Sequence, residues 1–90
     1  MLIFNRTTQF KRDVKLSEKR GRDILKLKKI MIKLANEEPL DPKFKDHKLS
    51  HNYTGHRECH IEPDWLLIYK VTMNEILFVR TGTHSDLFKM

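Results

Sequence analysis

The chain has a single cysteine, Cys59, among ninety residues, so it can close no intramolecular disulfide and is not a secreted, disulfide-stapled scaffold. It has only three prolines and three glycines, scattered singly, and no repeat or low-complexity stretch, so nothing reads as a linker. Long apolar runs are also missing. Leu2-Ile3-Phe4 is ended at once by Asn5-Arg6, far short of a signal-peptide core or a membrane span. One domain, residues 1–90, with a cytoplasmic location and no membrane partner, is the expectation, since so short a chain has too little interior to divide.

Acidic side chains are scarce in the first 36 residues, which hold 3 of them against 11 basic ones, a net of +8. Residues 37–90 hold 7 basic and 9 acidic side chains, a net of −2, and the two parts sum to the overall +6. The front of the chain is the electrostatic half. It suggests a polyanionic partner, although charge alone does not name one.

Leu2-Ile3-Phe4 reads as a short strand, after which Thr7 or Thr8 can cap a helix by accepting a free first-turn amide. Phe10 and Val14 lie four apart on that helix, with Lys11, Arg12, Lys15 and Lys19 around the remainder. Gly21 suits the left-handed residue that ends it. A second helix follows over Asp23 to Asn36, where Ile24, Leu27, Met31 and Leu34 form one apolar stripe, widened by Ile30. Lys26, Lys29 and Lys33 follow Arg22 along the other side, either as a solvated face or as a nucleic-acid contact. Leu40 to Tyr53 reads as an ordered loop carrying His47 and His51. Strands are expected from Arg57 to Ile61, Trp65 to Val71 and Glu75 to Thr81, joined by tight turns as an antiparallel meander. Leu66 to Tyr69 has no polar interruption and should be a central strand covered on both faces. Thr83 or Ser85 can cap a last turn containing His84 and Phe88. The order is β-α-α-β-β-β, an α+β fold with two N-terminal helices packed on one face of a small, mainly antiparallel sheet and the other face open.

On that open face the period of two places Glu58 and His60, with Cys59 and Ile61 turned to the core. In the last strand the same period sets Ile76, Phe78 and Arg80 on one side, Leu77 and Val79 on the other. His60 and Asp64 flank the first meander turn, His84 follows the last strand, and His47 can reach them from the loop. Two imidazoles and a carboxylate about one point suit general acid-base catalysis near neutral pH. Were the ligand RNA, a base could take the ribose 2'-OH proton and an acid could protonate the departing 5'-oxygen, with Arg80 holding the phosphate. Each residue also has an ordinary reading: surface histidines, a turn aspartate, and an Arg80 paired with Glu58. A rival zinc site would use His47, His51, His56 and His60 with Cys59, but no CxxC pair exists and strand alternation puts His56 and His60 opposite Cys59.

Lys45-Asp46-His47-Lys48-Leu49, Arg57-Glu58-Cys59-His60-Ile61-Glu62-Pro63-Asp64-Trp65 and Arg80-Thr81-Gly82-Thr83-His84-Ser85-Asp86-Leu87-Phe88 together resemble the YafQ-like branch of the RelE/ParE superfamily, the toxins of bacterial type II toxin-antitoxin pairs. The resemblance extends over nearly the whole chain, including Asp13-Val14-Lys15. It implies a RelE-like fold and a ribosome-dependent mRNA endonuclease that needs no metal or other cofactor. It also implies neutralisation by a small, acidic, dimeric DNA-binding antitoxin. By position it makes His47, His60, Asp64 and His84 the acid-base residues, Trp65 and Phe88 supporting aromatics, Arg80 a phosphate contact and Glu58 a secondary candidate. The alternative within the superfamily is a protein that acts by binding alone, such as a ParE-like topoisomerase poison.

Overall fold

A computed structural model of the chain describes residues 1–88. Its elements are β1 (Ile3–Arg6), α1 (Thr8–Lys19), α2 (Ile24–Ala35), a 3-10 turn (Pro42–Phe44), β2 (His47–Lys48), a second 3-10 turn (His51–Tyr53), β3 (Arg57–Glu62), β4 (Trp65–Val71), β5 (Glu75–Gly82) and α3 (His84–Phe88).

The helix ends have local causes. Thr7 Oγ1 accepts the Phe10 amide at 2.9 Å and the Asp23 carboxylate accepts the Leu25 amide at 3.0 Å, so each helix begins where a side chain satisfies an amide that has no helical partner. Gly21, at φ 79°, reverses the chain between them, a conformation that costs glycine no Cβ clash. α2 buries Leu27, Ile30, Met31 and Leu34 of the predicted stripe, with Ala35 added and Ile24 only half-buried.

The sheet order is β1-β5-β4-β3-β2, with β1 parallel to β5 and the other pairs antiparallel. The α+β class and the covering of one face by the helices agree with the sequence reading. β2 is a difference: the loop segment His47-Lys48 pairs with Glu58 and Arg57 as a fifth strand. Two residues are too few to carry any periodicity, so only the pairing reveals it.

β4 lies at the centre, and Trp65 to Tyr69 are at most 2% exposed. Trp65, Leu67 and Tyr69 enter the helix-side core with Phe10, Leu27, Ile76 and Phe78. Leu66 and Ile68 face the other way, where Leu87, Leu49, Tyr53, Val79 and Phe88 cover them. The second face is therefore only partly open. A strand apolar on both sides needs cover on both, and each large side chain so buried contributes about 2 kcal/mol.

A bulge in β5 makes a second correction. Tyr69 pairs with Phe78 but Ile68 pairs with Arg80, leaving Val79 as the extra residue. The sequence reading puts Arg80 on the open face together with Ile76 and Phe78; the inserted residue keeps Arg80 there, opposite Ile68 on the face that carries the histidines, while Ile76 and Phe78 enter the helix-side core.

Candidate active site

β3 alternates as expected, so Cys59 and Ile61 enter the helix-side core while Glu58 and His60 take the other face. Glu58 is buried, and its Oε1 lies 3.3 Å from His60 Nε2 and 3.7 Å from His47 Nε2. Both contacts become ion pairs when the rings are protonated. His47 Nδ1 donates to the Lys45 carbonyl at 2.6 Å, which leaves Nε2 as the nitrogen turned toward Glu58. Its segment is tied to the sheet by Asp46, whose Oδ1 accepts from Tyr69 Oη at 2.7 Å and Arg57 Nε at 3.2 Å.

The row continues to His84. Its ring centroid is 5.7 Å from that of His60, which is 6.3 Å from that of His47. His84 Nδ1 lies 2.6 Å from Asp64 Oδ1, and the His84 amide donates to the same oxygen at 2.9 Å. The amide bond first, and the ring bond next, hold the Asp64 carboxyl below the usual carboxylate range. An ionised carboxylate only accepts, so Nδ1 carries the hydrogen and Nε2 is left for a substrate.

The turn between α1 and α2 holds both halves of this pair. Arg22 donates to Glu62 at 3.0 Å and to the Asp64 carbonyl at 3.4 Å, and its guanidinium carbon lies 5.5 Å from the centre of the Trp65 ring. Arg20 donates twice to Asp86 in α3, at 2.6 and 3.3 Å, and Asp86 also accepts the Thr83 amide at 2.9 Å. The Arg20 hydrogen bond first, and the Thr83 amide second, lower the Asp86 carboxyl from its ordinary 3.8 to about 2. A depressed carboxylate stabilises the fold fully above its unfolded pKa, and that contribution is lost as pH falls through the folded value. Between about pH 4 and 2, wild type is therefore expected to lose its urea-midpoint advantage over Asp86→Asn. A difference in midpoint that stays constant across that window would show that the ionised Asp86 adds nothing.

Arg80 is gripped from the opposite side. β1 pairs with β5 only as far as Phe78, so among the described residues the outer edge of β5 beyond it has no strand neighbour. The start of α1 fills the gap: Thr7 Oγ1 donates to the Val79 carbonyl at 2.7 Å, and Asp13 accepts the Thr81 amide at 3.2 Å. Asp13 also takes Arg80 in a two-bond fork, from Nε at 2.9 Å and from Nη2 at 3.2 Å. That hydrogen bond is the main cause of the raised Arg80 pKa, with Tyr53 adding to it. The partner of Arg80 is thus Asp13 and not Glu58.

The sequence-predicted residues sort as follows. His47, Glu58, His60, Asp64 and His84 form one connected row. Phe88 meets Tyr53 edge-on at 5.9 Å, and Tyr53 meets His56 at 5.8 Å, beside Arg80. Trp65 is fully buried, so its ring offers no free face to a nucleotide and can only support the Asp64 turn. Lys29 and Lys33 are exposed on α2, whereas Lys26 is tied to Glu62 at 3.0 Å. The rival zinc set does not converge: Cys59 lies in the core, its thiol pushed up to about 12 by burial, and His47 and His60 lie on the other face. Sequence reasoning gave no role to Asp13 or Asp46 and put Arg22 only on the basic stripe, not at the Asp64 turn. Asp13 did leave a signal, because a carboxylate spaced with Phe10 and Ser17 sits on the buried stripe of an amphipathic helix.

The family model for the bacterial toxin of the type II toxin-antitoxin system, YafQ, matches residues 2–89. The mRNA interferase toxin YafQ of Escherichia coli strain B / BL21-DE3 is 51% identical over 81 residues, 89% of this chain and 88% of that protein. The crystal structure of YafQ from E. coli BL21(DE3) superposes with a TM-score of 0.93 at 45% identity, covering 98% of this chain and 99% of that one. YafQ in the E. coli DinJ-YafQ complex gives a TM-score of 0.91 at 46% identity, over 98% and 99% of the two chains. A family model spanning nearly the whole chain, a relative at half identity and the shared fold agree: this chain belongs to the YafQ family of bacterial type II toxin-antitoxin toxins.

Proposed function

We propose that this toxin is an endonuclease that cuts mRNA on the ribosome by acid-base attack of a ribose 2'-OH on the adjacent phosphorus. The observation that carries the reading is the row of three imidazoles, His47, His60 and His84, flanked by Glu58 and Asp64. Ring spacings of 6.3 and 5.7 Å let one imidazole take the 2'-OH proton while another protonates the departing 5'-oxygen across the same phosphodiester. Arg80, preorganised by Asp13, offers a fixed positive charge to the phosphate as charge builds on its oxygens. A protein that acted by binding alone would have no chemical use for this set.

The basic helices supply sequence-independent attraction to ribosomal RNA, and the excess positive charge suits a small acidic antitoxin as its partner in the pair. A relative is found in complex with DinJ, which supports that pairing. The test is cleavage of a defined message on programmed ribosomes, with the new ends analysed. The 2'-OH route leaves a 2',3'-cyclic phosphate and a 5'-hydroxyl. An intact message, or 5'-phosphate ends, would overturn the reading.

A further inference from the structure

A recess lies beside the histidine row. It is a groove of about 510 Å³ between α2, the segment 42–45 and the outer edge of β3. It exists because β2 pairs only with Arg57 and Glu58, so among the described residues no strand covers the outer edge of β3 from Cys59 to Glu62. Its floor is apolar, made by Ile30, Phe44 and Ile61 with Pro63 at the side. Its rim carries Lys29, Lys33, Lys43 and Lys45, none of which has a carboxylate partner among the described residues. His60 lines it too, so the groove joins the row at its middle member.

We propose that this groove holds the cleaved RNA strand itself, taking the single-stranded nucleotides next to the scissile bond. The inference rests on the endonuclease reading and adds a substrate path to it. Two features favour a nucleic-acid strand. Unpaired lysines along both walls match phosphates spaced along a backbone, and an apolar floor with a half-buried aromatic, Phe44, gives bases a surface out of water. Continuity with His60 decides between this strand and ribosomal RNA, because only a strand that enters the histidine row has to leave it along a neighbouring groove. Lys43 Nζ already lies 5.2 Å from the Phe44 ring centre, so a phosphate contact and a stacked base would fall on adjacent residues.

The test uses the full chain and ribosomes programmed with a message 2'-O-methylated at the cleaved position, which keeps it intact, and bearing 4-thiouridine beside it. Irradiation is expected to cross-link the message to the peptides containing Lys43-Phe44 or Pro63. On unmodified message, the Lys29→Gln/Lys33→Gln/Lys43→Gln variant is expected to raise KM about tenfold, with kcat largely kept. Its salt slope should fall by about 2, from roughly 0.7 per lost single-strand phosphate contact. Cross-links confined to the Tyr53–Phe88 side, or an unchanged KM and salt slope, would overturn the groove while wild-type cleavage still upheld the endonuclease. Protection of these lysines from acetylation by an acidic antitoxin peptide, with none by the message, would give the groove to the antitoxin and also overturn it. Failure of wild type to cut unmodified message would refute the endonuclease reading, and with it the groove as a substrate path.

Discussion

His84→Ala is expected to lower message cleavage on programmed ribosomes about a hundredfold or more, the usual scale for losing a general acid or base. The structure gives this substitution a clean reading. The His84 side chain is 38% exposed and its partner Asp64 is 61% exposed, so removing the ring opens no cavity in the core. The backbone amide of His84 keeps its 2.9 Å bond to Asp64, which should hold the turn in place. Thermal stability should therefore stay near wild type while activity collapses. Asp64→Asn tests the orientation separately: an amide can present a donor to Nδ1 and stabilise the wrong tautomer, so kcat should fall while KM changes little. His60→Gln probes the middle of the row, where the lost ring separates Glu58 from His84. Wild-type cleavage rates in both His84→Ala and His60→Gln would remove the row from the chemistry.

The second large effect is on stability. Asp13 is the only carboxylate that meets both Arg80 and the Thr81 amide at the unpaired edge of β5 among the described residues. Asp13→Ala strands a guanidinium 25% exposed and a buried amide together. Removing one member of a buried pair costs about 3–5 kcal/mol, and partial access of water to Arg80 brings the expectation to about 2–3 kcal/mol. For a domain of this size that lowers Tm by roughly 10–20 °C. The double variant Asp13→Ala/Arg80→Leu should recover part of the loss, because the uncompensated charge is gone, yet it should not recover cleavage. A Tm within about 2 °C of wild type for Asp13→Ala would mean that water replaces the carboxylate at little cost. Recovery of cleavage by the double variant would show that Arg80 does not stabilise the reacting phosphate.

Much of the fold could be read locally because its signals have short range. The α2 stripe, the Thr7 cap, the Gly21 reversal and the alternation of β3 each depend on residues a few positions apart. Two elements escaped for equally physical reasons. His47-Lys48 is too short to show a strand period, and the β5 bulge breaks the period that would keep Ile76 and Phe78 on the side of Arg80. The candidate site was legible as residue types, with help from family resemblance, but its contacts were not. Glu58, expected only as a secondary candidate, lies between two imidazoles, and Trp65 is a buried support and not a contact surface.

By itself, then, the sequence determined the helices, the central apolar strand, the basic front half and the side of β3 on which Glu58 and His60 lie, since each follows from spacing along one segment. Tertiary structure alone decided which groups meet. Asp13 reaches Arg80 across 67 positions, Arg22 reaches Glu62 across 40, and Asp64 reaches His84 across 20. Such pairs are set by strand order, register and the bulge, which depend on how the whole sheet buries both faces of β4 and not on any one stretch of chain.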